Sequence, residues 1–111
     1  MKIIATEHET QNAILDWLTA KRIFHYRNNS GAMVSEYHGK KRFMRFGKVG
    51  SPDIVAVIRP RGVDHGQYVG IEVKRVGNNL SEAQIAFKEQ LEVAGGKWIT
   101  AYCLEDVIAM L

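Results

Sequence analysis

The chain has 111 residues, 46% hydrophobic and 24% charged, with 15 Lys and Arg against 12 Asp and Glu; that balance fits one soluble domain with a modest core. The net charge of +3 leans only mildly toward a polyanionic partner, and no run of about 18 apolar residues is present to span a membrane. Met1-Lys2-Ile3-Ile4 lacks the apolar core of a secretory signal, and the single cysteine, Cys103, excludes an internal disulfide or a cysteine-based zinc site. Cys103 lies in an apolar stretch and reads as a reduced, buried core thiol, which fits a cytoplasmic protein.

Residues 6–21 read as a helix: at about 100° per residue, Glu7, Gln11, Ile14, Leu15 and Leu18 share one face. Residues 23–27, IFHYR, have strand composition, and Asn28-Asn29-Ser30-Gly31 supplies turn residues. Residues 31–50 are glycine-punctuated and basic, a long loop or a loose hairpin. They gather Lys40, Lys41, Arg42, Arg45 and Lys48, which make either a solvated basic loop or a phosphate-contacting segment. Residues 53–58, DIVAVI, and 67–75, QYVGIEVKR, read as two strands; the short turn between them makes the pair antiparallel. Ser81 with Gln84 three positions on forms a capping box for a helix running to Ala94 and ending at Gly95-Gly96. Residues 97–103 make a last strand and 105–111 a short closing helix. The order is helix, strand, hairpin, helix, strand, helix: a single mixed α/β domain over residues 1–111, with a sheet flanked by helices.

The chemistry sits in Ser51-Pro52-Asp53, followed after eighteen residues by Glu72-Val73-Lys74. Residues two apart on a strand share a face, so Glu72 and Lys74 point one way and Ile71 and Val73 the other, toward a core. If Ile58 faces Gln67 across the turn, the same register sets Asp53 opposite Glu72, with Cβ atoms about 5 Å apart. Two carboxylates that close repel each other, and a hard divalent cation such as Mg²⁺ or Mn²⁺ would relieve them. Lys74 beside such a cation could position or deprotonate a water, or neutralise charge on phosphorus. Asp, Glu and Lys on one sheet face therefore suit phosphodiester hydrolysis. The alternative is a surface Glu72–Lys74 salt bridge with Asp53 as a turn residue.

SPD followed by IEVK resembles the PD-(D/E)xK nuclease superfamily. EHETQNAILDWL, RNNSGA, GKVGSPDIVAV, GIEVKR, LSEAQIAF with GG, and EDVIAML resemble its virus-type replication-repair nuclease branch, the VRR-NUC domain, over nearly the whole chain. The resemblance implies a restriction-endonuclease-like αβββαβ core with a central mixed sheet, and a metal-dependent nuclease acting on structured DNA, in stand-alone viral and phage members as a homodimer on Holliday-junction-like substrates. It makes Asp53 and Glu72 metal ligands, Lys74 the catalytic lysine and the Val73 carbonyl a further metal contact.

The first-helix acid of that family, a further catalytic residue and metal ligand, maps to Glu7. The helical wheel agrees: Glu7 lies within about 40° of Gln11, Ile14 and Leu18, whereas Glu9 is about 200° away from it. Gln84 matches the family's helix glutamine, holding the scissile phosphate or the water, or it only caps its own helix. Arg27 and Arg75, with the basic run, are candidate DNA contacts; Arg27, Asn28 and Asn29 could equally be turn residues. Trp17, Phe43, Met44 and Phe46 are candidate dimer-interface residues. The four histidines are scattered, without helical metal spacing. Two other readings compete: a DNA-binding module that keeps the fold without catalysis, and a structural protein whose charges are surface pairs.

Overall fold

The computed structural model describes residues 4–28 and 31–111, and the backbone alone for residues 31–35, 37 and 43–46. Its elements are α1 (Glu7–Ala20), β1 (Phe24–Arg27), β2 (Gly31–Tyr37), β3 (Lys40–Phe46), β4 (Ile54–Ile58), β5 (Gln67–Val73), α2 (Glu82–Val93), β6 (Lys97–Ala101) and α3 (Leu104–Met110). Two capping boxes start the longer helices. The Thr6 hydroxyl accepts the Glu9 N–H at 3.1 Å and the Ser81 hydroxyl the Gln84 N–H at 3.1 Å, each satisfying a donor that the first turn leaves unpaired.

The main sheet has the order β1-β4-β5-β6. β4 runs antiparallel to both β1 and β5, and β6 lies parallel to β5. A parallel neighbour requires a crossover, and α2 supplies it. The expected mixed α/β domain is therefore present as a four-stranded mixed sheet flanked by helices.

Strand alternation divides the sheet into two faces. Ile54, Ala56, Val69, Ile71, Val73, Ile99 and Ala101 pack on one face with Ile14 and Leu18 of α1 and Val107 of α3. Complete burial of a side chain such as Ile14 or Leu18 contributes about 1.5–3 kcal/mol. On the opposite face α2 lies over β6, where the Phe87 ring meets Trp98 at 6.0 Å between centroids. Among the described residues no helix is long and apolar enough to cross a membrane.

Gly70 lies at the centre of β5 on this second face. A Cβ there would sit 2.8 Å from Cγ of the buried Pro52, so the close approach of a rigid ring requires glycine. Gly70→Ala is expected to destabilise by about 1–3 kcal/mol through overpacking, and to push Pro52, and with it Asp53, out of place. Chemical denaturation measures the first effect; loss of function exceeding the loss of folded protein measures the second.

Of the two alternatives for residues 31–50, a long loop or a hairpin, the structure has the hairpin, paired from Gly31↔Phe46 to Tyr37↔Lys40. His38 and Gly39, at φ 50° and 72°, form the turn; positive φ at both central positions matches the right-handed twist of the strands. This two-stranded sheet is separate from the main one. The radius of gyration, 16.0 Å, exceeds the about 13 Å of a compact chain of this length, as a projecting ribbon requires. One expectation changes: Cys103 is exposed and not a core thiol. β6 ends at Ala101, and Cys103 is the extended residue that precedes α3, beyond the last rung of the sheet that could bury it.

Candidate active site

β4 and β5 pair from Ile58↔Gln67 to Ile54↔Ile71. One further step sets Asp53 opposite Glu72, the register expected from the turn. Asp53 is held there from both sides. Its carbonyl accepts the Asn28 N–H at 2.7 Å, and its carboxylate Oδ2 accepts the Val73 N–H at 2.8 Å. The Asn28 amide donates to Ser51 Oγ and to the Pro52 carbonyl, both at 2.9 Å. The sequence left Asn28 between turn and phosphate contact; its side chain fastens the Ser51-Pro52-Asp53 segment to the end of β1. Gly50, at φ 82°, packs against the Ala83 carbonyl so closely that no side chain fits. The same segment is thereby seated on the first turn of α2, close to Gln84.

Glu72 is 4% exposed, beside Thr100 of β6 in the parallel register. Burial first, then the hydrogen bond and the charge of Asp53, push its carboxyl up from 4.5 to about 9; Lys74 acts in the opposite direction and Glu7 adds to the rise. The pair thus keeps a proton between its two acids when no cation neutralises it. The only ion pair within 4.0 Å among the described residues joins His65 and Asp64, at 3.7 Å. A Glu72–Lys74 surface salt bridge is therefore not what the fold builds. Lys74, half-buried, follows β5 with its N–H donating to the Ala101 carbonyl at 2.9 Å.

The two first-helix acids take different places. Glu9 turns back to its own helix, accepting from the Thr6 hydroxyl at 3.0 Å. Glu7 reaches the end of β5, where Oε1 accepts the Arg75 N–H at 3.2 Å. It is exposed, and it is not drawn into a cluster: among the described residues no three Asp, Glu, His or Cys side chains converge on a common point. Glu7→Gln should reduce activity at least about tenfold more than Glu9→Gln, since only Glu7 lies where its charge acts on Glu72. Glu9→Gln should instead lower stability by up to about 1 kcal/mol through the weakened cap. Parallel rate and melting measurements separate the two effects; equal rate losses would contradict this assignment.

Gln84 is half-buried, and its Oε1 accepts the Ser81 N–H at 2.8 Å. The capping role is thus realised, and only the amide donor side is left to act on anything else. Arg27, Arg75, Lys40, Lys41, Arg42 and Lys48 are exposed; the first two flank the acid pair in sequence, and the others belong to the ribbon and the segment after it. Asn29 and the side chains of Phe43, Met44, Arg45 and Phe46 lie outside what is described. Trp17 packs half-buried against the core, with Lys21 Nζ 6.0 Å from its ring centroid.

Two features of the site are not apparent in the motif itself. The Asn28 clamp joins residues more than twenty positions apart, with no local signal. Gly70 did carry one, a glycine inside a strand pattern.

Asp53 and Glu72 fit a hard divalent cation. They offer carboxylate oxygens on adjacent strands, and they are an acid pair whose full ionisation needs a positive charge. Mg²⁺ sites commonly have one or two protein carboxylates, with water and substrate phosphate completing the octahedron, so a third convergent acid is not required. No protein-family model matches the chain, and no curated protein matches it.

Proposed function

We propose that the chain is a metal-dependent deoxyribonuclease that hydrolyses phosphodiester bonds, with a restriction-endonuclease-like αβββαβ core of the virus-type replication-repair nuclease kind. The observation that supports this reading best is the acid pair. A buried Glu72 facing Asp53 across two strands serves no packing purpose, and with Lys74 two residues on it forms a set suited to a phosphate-bound cation.

In this reading Asp53, Glu72 and the Val73 carbonyl hold Mg²⁺ or Mn²⁺, which when bound supplies positive charge to the non-bridging oxygens of the phosphodiester. Lys74 orients the attacking water, takes its proton or stabilises the charge that develops on phosphorus. Glu7 adds negative charge behind Glu72, and Gln84 offers its amide N–H to the phosphate. Arg27, Arg75, Lys40, Lys41, Arg42, Arg45 and Lys48 contact the DNA backbone, which makes affinity fall steeply with salt.

The substrate is branched DNA, and the working unit a homodimer, because symmetric cleavage of a junction needs two sites related by a two-fold axis. Light scattering with and without junction DNA checks this; twice 12.5 kDa is expected.

Incubation of labelled four-way junction, flap, nicked and plain duplex DNA with Mg²⁺ or Mn²⁺ tests the activity. Cation binding has its own signature. Because the Glu72 carboxyl is pushed up to about 9, binding at pH 7 must displace its proton. Calorimetric Mn²⁺ titrations in buffers of different ionisation enthalpy should show release of about one proton. No cleavage of any of these DNAs, together with no proton release, would refute the proposal.

A further inference from the structure

The face of the sheet that carries Asp53 and Glu72 is covered unevenly. α2 lies over β6, and on the other side the edge strand β1 leaves its side chains on this face exposed, while Val55 of β4 beside them is buried. Phe24 and Tyr26 of β1 are 68% and 50% exposed, and Val57 of β4 is 37% exposed. Their direction follows from the register. Phe24 and Tyr26 pair with Val57 and Val55, which alternate with the core residues Ile54 and Ala56. Directly paired residues point the same way, so both rings stand on the face of the acid pair.

The spacing relates them to Asp53. Tyr26 is one strand across and two residues along from it, about 8 Å between backbone positions; Phe24 is two residues, about 7 Å, further. That repeat matches the step of an extended, unstacked nucleotide chain. The two rings meet edge to face, with centroids 6.4 Å apart and planes at 75°, an arrangement that leaves ring surface facing solvent. Neither ring is part of the core: β1 buries no residue completely. An aromatic pair exposed in this way on a sheet has its known use in stacking unpaired bases, since every base has a π-face.

We infer that Phe24 and Tyr26 form a stacking platform for unpaired nucleobases immediately beside the scissile phosphodiester. The substrate then carries single-stranded nucleotides next to the cut, as in a flap or a frayed branch, and a continuous duplex is a poor ligand at this surface. The inference rests on the nuclease reading of the acid pair, and it defines which side of the cut is unpaired: the strand leaves Asp53 over β4 and β1 toward Phe24.

Equilibrium binding to metal-free protein tests it, with three fluorescent probes: a single-stranded oligonucleotide, the same length made abasic, and a plain duplex. Phe24→Ala and Tyr26→Ala should each weaken single-strand binding by about fivefold to a hundredfold. Binding of the abasic and duplex probes should stay within about twofold. Phe24→Trp and Tyr26→Trp should retain single-strand affinity. Circular dichroism and thermal melting confirm that each variant is folded.

Equal losses on the abasic strand, or no loss on the normal strand, would overturn the inference. It would also be overturned if the alanine variants instead lowered the molecular mass in light scattering without base-dependent loss, since the patch would then join two copies of the chain. Hydrolysis of bis(p-nitrophenyl) phosphate by the wild-type protein with Mn²⁺ is scored separately. Hydrolysis with base-indifferent binding removes the platform alone; base-dependent binding without hydrolysis removes the nuclease reading and leaves a single-strand binding surface.

Discussion

Glu72→Gln is expected to lower metal-dependent hydrolysis by about 10³-fold while making the metal-free protein more stable above pH 7. Both effects have one origin. The carboxyl is buried against Asp53 and is pushed up to about 9 in the folded chain, from an ordinary value of 4.5. Between those two values the folded state holds one proton more than the unfolded state. Stability from this group is therefore complete below pH 4.5 and declines as pH rises toward 9, at about 1.4 kcal/mol per pH unit. Glutamine keeps the shape of the protonated acid and has no proton to lose. The variant should match the wild type near pH 4 and exceed it by a few kcal/mol at pH 8. Denaturant unfolding at the two pH values, without metal, gives the comparison. Saturating Mn²⁺ should narrow the difference, because a cation stabilises the ionised wild-type pair and not the amide. A variant that cleaves DNA at the wild-type rate would remove Glu72 from the chemistry, and one that is less stable at pH 8 would show that the acid pair is not strained.

Lys74→Ala should lower kcat by about 10²- to 10⁴-fold and leave the metal affinity nearly unchanged. Lys74 is only half-buried and forms no ion pair within 4.0 Å with the acids, so its loss leaves no buried charge unpaired and should cost little stability. The Lys74→Arg variant divides the two roles proposed for this side chain. Arginine keeps the positive charge but does not give up its proton near neutral pH. Substantial recovery with arginine would assign Lys74 to charge stabilisation; loss equal to that of alanine would assign it to proton transfer. Single-turnover rates on a flap substrate, with metal affinity from calorimetry, provide both numbers. Unchanged kcat in Lys74→Ala would mean that the lysine takes no part.

Much of this arrangement is determined by local sequence. Apolar spacing in residues 6–21 selects the helix face that buries Ile14 and Leu18. The Ser81–Gln84 and Thr6–Glu9 pairs cap their helices within three residues. The short turn from Ile58 to Gln67 is enough to place Asp53 opposite Glu72, because a hairpin register propagates rung by rung. All of these depend on neighbours along the chain or across one turn. The hairpin of residues 31–46 was open between loop and strand because its basic, glycine-punctuated composition carries no clear alternation; the paired turn at His38-Gly39 decides it.

The rest is set by packing between distant segments, which no local period encodes. Cys103 has apolar neighbours in sequence but lies past the final rung of β6, and so is exposed. Asn28 becomes the clamp of Ser51 and Pro52 only once β1 joins the edge of β4. The same edge position leaves Phe24 and Tyr26 uncovered, although the composition of residues 23–27 would suit a buried strand equally well. The two motif acids follow the same division. Their residue types and face come from the sequence, but the raised Glu72 carboxyl requires the walls of β4, β6 and Asp53 around it, since desolvation belongs to the assembled sheet and not to the motif.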